Sequence, residues 1–325
     1  MIKKKDITVV VQGPYFKKIT SEVLNNIYKT FKGSELIFST YRGEKIDQKF
    51  KKKFNIIYNK IPPKTPNSLK PLMYYNYFGH IRTSQNGVKK STKNYILKTR
   101  SDVIFSNTNF LDYFDKFKYF NKKNKIFKKK IIISSHYTID PRRNPLPLHF
   151  SDWFFFGLKS DIRKIFNQKY MSTENKKVPL WFLNRKKPKF FFNEYMSRFR
   201  AEQNLVINFL KKYSKIDIKH GYDHSIKNII FTEKILANNF VVLNPNLISF
   251  KCLRHPNFSD NQDLIYFNEL ITFKKWQKIY KKYCNKEFEP DKVSFKEIFN
   301  TFNWIIFNFK EAIYKLIQFR KYNLF

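Results

Sequence analysis

Four short apolar runs constrain this chain most. ITVVVQGP (residues 7–14), SELIFSTYRG (34–43), FNIIYNK (54–60) and NYILKTRSDVIF (94–105) have the length and β-branched, aromatic character of buried strands. Between the first two, SEVLNNIYKTF puts Val23, Leu24, Ile27 and Phe31 at helical spacing, with Ser21 placed as an N-cap. Leu72–Lys90 also reads as helix. Strands alternating with helices at this pitch predict βαβ units and a mostly parallel central sheet flanked by helices, an α/β fold. KKKIIISSHYTI (128–139) and SDWFFFGLKSDI (151–162) continue the β signal, and AEQNLVINFLKKY (201–213) predicts an amphipathic helix.

An open parallel sheet binds ligands outside the carboxyl ends of its strands. That rule singles out Gln12 and Gly13 after the first strand, Arg42 after the second, and Lys98, Arg100, Ser101 and Asp102 at the fourth. Gly13 would let a ligand approach the backbone closely. Arg42 and Arg100 have the forked donors that grip phosphate, and Asp102 is an oxygen ligand for Mn2+ or Mg2+. Together they predict a site for a nucleotide diphosphate. Each motif alone also reads as an ordinary capped turn. No P-loop, no G-x-G-x-x-G and no G-x-S-x-G occurs, which argues against P-loop, dinucleotide-fingerprint and α/β-hydrolase chemistry.

Charge narrows the partners. Sixty-four Lys and Arg against 25 Asp and Glu give +39 over 325 residues, which favours an anionic partner: phosphorylated small molecules, a membrane surface or nucleic acid. The basic residues spread along the whole chain without a nucleic-acid motif, so no specific nucleic acid is expected. Cys252 and Cys284 offer neither a disulfide framework nor a metal-ligand pattern, which fits a reducing cytoplasm. No stretch approaches the apolar length of a membrane span.

QGP, K-x-R-S-D, SDW-x-x-x-G and EQ follow one another in an order that resembles the WavE lipopolysaccharide-synthesis family, over roughly residues 6–215. The resemblance implies a GT-A-like glycosyltransferase: transfer of a sugar from a nucleotide-sugar donor to a lipopolysaccharide, lipooligosaccharide or capsule glycan, with a lipid-linked or lipid A-core acceptor. Arg100-Ser101-Asp102 then resembles the metal-binding D-x-D element with its first acid replaced. Either Asp102 holds metal nearly alone, or Arg100 or Lys98 neutralises the leaving diphosphate. Asp152 is the first expected catalytic carboxylate and Glu202 the second, with Trp153 an acceptor-stacking ring. His149, His220 and His224 are weaker candidates as late ligands, since a lone His in a polar loop is usually nothing more.

Residues 1–260 are expected to form the transferase domain and 261–325 a basic, aromatic helical extension. Its last stretch, 301–325, carries Trp304, Ile305, Phe309, Ile313, Leu316, Ile317 and Phe319 on one broad face broken by Lys and Arg. That pattern suits peripheral binding to the anionic inner face of the cytoplasmic membrane, and equally docking on the protein itself. MSTENKKVPLWFLNRKKPKFFF (171–192) reads as a long surface loop. Two rival readings remain at this stage: a catalytically inactive scaffold in glycan assembly and a basic nucleic-acid-binding protein.

Overall fold

The computed structural model describes residues 2–61, 71–168, 199–219, 221, 223, 225–255 and 269–292, together with 299, 302, 305, 306 and 309. The 171–192 loop, His220, His224 and most of 301–325 lie outside the described residues.

The predicted runs form β1 (Ile7–Gln12), β2 (Glu35–Tyr41), β3 (Asn55–Asn59) and β4 (Tyr95–Arg100). With β6 (Ile131–Ser134), β7 (Phe154–Leu158) and β8 (Phe240–Leu243) they make a seven-stranded sheet in the order β3-β2-β1-β4-β7-β6-β8. All its pairings are parallel except those of β7, which runs against both β4 and β6. The expected α/β class is therefore what the chain adopts. Every residue of β1, β6 and β8 is buried. Covered on both faces, such strands must be continuously apolar, which is what their sequences provide. Two short strands, β5 (Val103–Phe105) and β9 (Phe250–Cys252), pair antiparallel beside the main sheet.

Helix α1 (Lys17–Thr30) begins a turn earlier than the Ser21 cap predicts. Thr20 Oγ1 accepts from the Phe16 amide, and Ser21 lies within the helix, bonded to the Tyr15 hydroxyl. After the single-turn α2 (Gln48–Lys51), the helix expected over Leu72–Lys90 forms as α3 (Pro71–Lys90) and packs on β1 and β2. A Cβ on Gly87 would stand 2.3 Å from Val10 Cγ1, so α3 rests directly on β1. The SDWFFFGLKSDI segment is strand only for Phe154–Leu158, then turns straight into α4 (Lys159–Phe166). Helix α5 (Ala201–Leu210) follows, then α6 (Ile226–Asn239), the single-turn α7 (Pro245–Ile248) and α8 (Phe273–Tyr283).

Residues on both sides of the boundary expected at residue 260 contribute to the core. Phe273, Trp276 and Tyr280 of α8, at helical i, i+3 and i+7 spacing, are buried in the same hydrophobic cluster as β1 and β4. Phe117 packs edge-on against all three rings.

Candidate active site at the β4–β7–β6 edge

The reversed direction of β7 assembles the site. Thr99 pairs with Phe154, so Asp152 and Trp153, which precede β7, emerge beside Arg100 at the end of β4. On the other side of β7, β6 ends at Ser134 and leads into His136 and Tyr137. Two strand ends and one strand start thus meet at a single edge.

Lys98 is fully buried on β4. Its ammonium donates to His80 Nε2 of α3 at 2.7 Å and to the main-chain oxygen of Asp152. The proton of a neutral His80 ring must then sit on Nδ1, which is 3.5 Å from Asp152 Oδ2. Burial pushes Lys98 down to about 7 and His80 down to about 3, the latter helped by the Lys98 charge. Burial also opposes ionisation of Asp152. It is overcome by the positive charges of His80, Lys98 and Arg100, so this carboxyl is held below its usual range. Near neutral pH His80 itself is uncharged and Lys98 is only partly protonated, which leaves Arg100 as the permanent cation that keeps Asp152 ionised.

Glu202 meets the opposite fate. Helix α5 opens with a capping box in which Gln203 Oε1 accepts from the Arg200 amide. The other end of Gln203 donates to the carbonyls of Pro147 and Gly221, 2.8 Å each. That fastening brings the first turn of α5 against the 147–149 segment, with Glu202 Oε2 3.5 Å from His149 Nε2. Burial raises the Glu202 pKa and the charge of Asp152 adds to the rise, against the opposing pull of His149. Two carboxyls at one edge therefore have their ionisation pulled in opposite directions.

The remaining sequence candidates divide. Arg100 reaches Asp102 through two parallel bonds, Nε to Oδ1 at 2.9 Å and a terminal nitrogen to Oδ2 at 2.6 Å. Its guanidinium lies 4.0 Å over the Trp153 ring. Both Asp102 oxygens are thus occupied in a side chain only 3% exposed. No group of three or more His, Cys, Asp or Glu side chains suited to a metal occurs among the described residues. The metal role expected of Asp102 does not fit this placement, because its charge is already neutralised by a bidentate cation. Trp153 is not an open stacking surface either. It is buried, flanked by Arg100, by a stacked Tyr137 ring at 5.5 Å and by an edge-on His136 at 4.5 Å.

Gln12, Ser101 and Lys98, expected at the donor, are all buried and used internally. Gln12 Oε1 accepts from Thr83 at 2.8 Å, and Ser101 donates to the Pro14 carbonyl at 2.9 Å. Gly13 takes φ +128°, and a Cβ there would meet Ser101 Oγ at 2.6 Å, so its role is to let two strand ends close on each other. Arg42 is exposed after β2, two strands from β4. Sequence reasoning missed His80, Tyr137 and the weight of His149. None of these carries a local signal, since each matters through partners far along the chain.

No curated protein sequence matches the chain. Among solved structures, the inositol-1-phosphate CTP transferase from T. maritima aligns at TM-score 0.31 and 11% identity, over 72% of this chain and 97% of that one. S. aureus TarS aligns at TM-score 0.31 and 12% identity, over 75% of this chain and 35% of its own length. The family model for WavE lipopolysaccharide synthesis matches residues 7–306, which takes in α8 and reaches well past the 6–215 stretch whose motifs carry the resemblance. With nearly the whole length matched, the chain belongs to the WavE lipopolysaccharide synthesis family.

Proposed function

We propose that the protein is a GT-A-like glycosyltransferase that moves a sugar from a nucleotide-activated donor to a lipopolysaccharide, lipooligosaccharide or capsule glycan. The observation that carries this reading is the placement of two carboxylate–histidine pairs at the edge that holds Arg100, Asp152 3.5 Å from His80 and Glu202 3.5 Å from His149. Family membership supplies the context of surface-glycan synthesis.

In such a transfer the acceptor oxygen forms a bond to the anomeric carbon as the bond from that carbon to the diphosphate oxygen breaks. The electron pair leaves with the nucleoside diphosphate, and the acceptor proton passes to a protein base. Asp152, ionised but weakly basic, suits orienting acceptor hydroxyls and stabilising positive charge at the anomeric carbon. Glu202, with its raised pKa, is the better base. Their environments thus reverse the order in which the sequence alone ranks them. Arg100, a quarter exposed, is the cation placed to face the departing diphosphate. Lys98 acts behind Asp152 by fixing its backbone and its charge. Because Asp102 is neutralised, no step is assigned to Mn2+ or Mg2+.

Peripheral attachment to the cytoplasmic face of the membrane, close to a lipid-linked acceptor, completes the proposal. Phe299, Phe302, Ile305, Ile306 and Phe309 are helical and exposed, in a region rich in lysine. Exposed apolar rings among cations favour an anionic lipid surface. No helix among the described residues is long and apolar enough to cross a membrane.

A thermal-shift panel of UDP-, GDP- and CMP-sugars, with and without Mn2+, tests the donor. One donor class should raise Tm, and the shift should persist without Mn2+. Silence towards every nucleotide sugar would sink the transferase reading and favour the scaffold, for which Asp152→Asn would leave cellular glycan unchanged.

A further inference from the structure

We infer that His149 is a positioning residue that faces Glu202 and receives its proton, held in register by left-handed backbone at Tyr137 and Leu148. The inference rests on the reading of Glu202 as the base and deepens it.

Three features aim this histidine at Glu202. His149 Nδ1 is 2.9 Å from the Tyr137 carbonyl, an acceptor that forces the ring proton onto Nδ1 and leaves Nε2 with its lone pair toward Glu202. Of the three non-glycine residues with left-handed backbone among the described residues, two bracket that bond: Tyr137 at φ 64° and Leu148 at φ 56°. Such conformations cost free energy and persist only where surrounding structure imposes them, most often at functional sites. The Ile139 amide returns to the His149 carbonyl at 2.9 Å, which locks the two segments together. From the opposite side, Gln203 ties the start of α5 to Pro147, two residues before the histidine. The His149 ring is thus held by Tyr137, and the start of α5 that carries Glu202 is held to the segment before His149.

The chemistry balances without a further reactant. Glu202 takes the acceptor proton as the glycosidic bond forms, and a proton moves from the carboxyl to His149 Nε2. The imidazolium keeps Nδ1–H on Tyr137 and later yields the Nε2 proton to solvent. The charged and titratable groups facing the pair are Asp152, Arg100 and the Tyr137 hydroxyl. Asp152 raises Glu202, and His149 once protonated lowers it, so loss of the imidazole removes that lowering on the acid side.

The test is the pH profile of kcat/KM for wild type, His149→Gln and Glu202→Gln, together with 15N NMR of the His149 ring in resting protein. In His149→Gln the acid limb should move up by about one pH unit, roughly tenfold in rate at a fixed pH on that limb, with recovery at higher pH. Glu202→Gln should abolish the limb. In wild type the NMR should show the Nδ1–H tautomer. A lower plateau with an unmoved limb would reduce His149 to packing and overturn the inference. An Nε2–H tautomer would overturn it too, and that readout needs no turnover, so it stands apart from failure of the transferase reading itself.

Discussion

The two halves of the sheet's carboxyl edge are both polar and end in different states. On the β1–β2–β3 side, Gln12, Ser39, Asn59 and, from α3, Thr83 are all buried. They bond one another or nearby carbonyls: Thr83 to Gln12, Asn59 to Ser39 and to the Thr40 carbonyl, Asn86 to Asn59 at 2.6 Å. On the β4–β7–β6 side, Arg100, His80, Asp152 and Glu202 keep 13–25% of their side chains exposed and hold opposed or displaced charge states. Polarity at a strand end is therefore not the mark of a site. A site is where polar groups stay partly open while their surroundings pull their ionisation apart.

The most direct way to break that contrast is to neutralise its centre. Asp152→Asn should lower kcat by about 10²–10⁴, the range for groups that act on charge or protons in the transition state. The folded state should survive, because asparagine keeps the shape and the backbone carbonyl that binds Lys98. Steady-state transfer with the identified donor measures it. A loss of the same size from Thr83→Val would erase the distinction between the halves.

Next in size is a stability effect at the junction of the two halves. Arg100→Ala strands the Asp102 carboxylate, only 3% exposed, without its cation, and should cost about 3 kcal/mol. Denaturant melts should show Arg100→Leu combined with Asp102→Leu to be less destabilised than Arg100→Ala alone, since removing both charges removes the stranded one. If the single variant melts like wild type, water reaches Asp102 and the edge is wetter than its burial indicates.

A third measurement separates the halves by pH. Folded Lys98 titrates near 7, against about 10.4 for an exposed lysine. Between those values the unfolded chain binds a proton that the folded chain does not, so this residue makes stability rise with pH across that window. Below about 7 the cost of burying the charge is fully present. Lys98→Met should remove the Lys98 part of the slope in Tm between pH 7 and 10, and an unchanged slope would place the titration elsewhere. The β1–β3 side has no buried lysine among its described residues and should contribute no such slope.

How much of this was legible in sequence follows the same division. Continuous apolar runs identified β1, β2 and β4, because strands covered on both faces must be largely apolar, and the same apolar character marked β3 although it lies half-exposed at the sheet edge. The same property hid the direction of β7: FFFGL reads alike in either orientation, yet its reversal is what sets Asp152 beside Arg100. Asp152 and Glu202 were found as motif residues, but their charge states depend on Lys98, His80 and His149, supplied by other elements. Helix α8 was legible in principle. Its lysines drew attention to charge, while Phe273, Trp276 and Tyr280 already spelled a core-facing stripe.

The smallest expected effect sharpens the comparison from the quiet side. Thr83→Val takes away the hydroxyl that donates to Gln12 Oε1 and keeps the side-chain volume. A buried acceptor left short of its donor costs about 1–3 kcal/mol, so chemical denaturation should register the loss. Donor Kd and kcat/KM should stay at wild-type values, because Gln12 and Thr83 spend their polarity on joining β1 to α3 rather than on a ligand. Gln12→Leu paired with Thr83→Val should then recover part of the stability, as both ends of the bond become apolar together. A weakened donor Kd in either variant, with stability intact, would move the nucleotide toward β1 and return Gln12 to the binding surface.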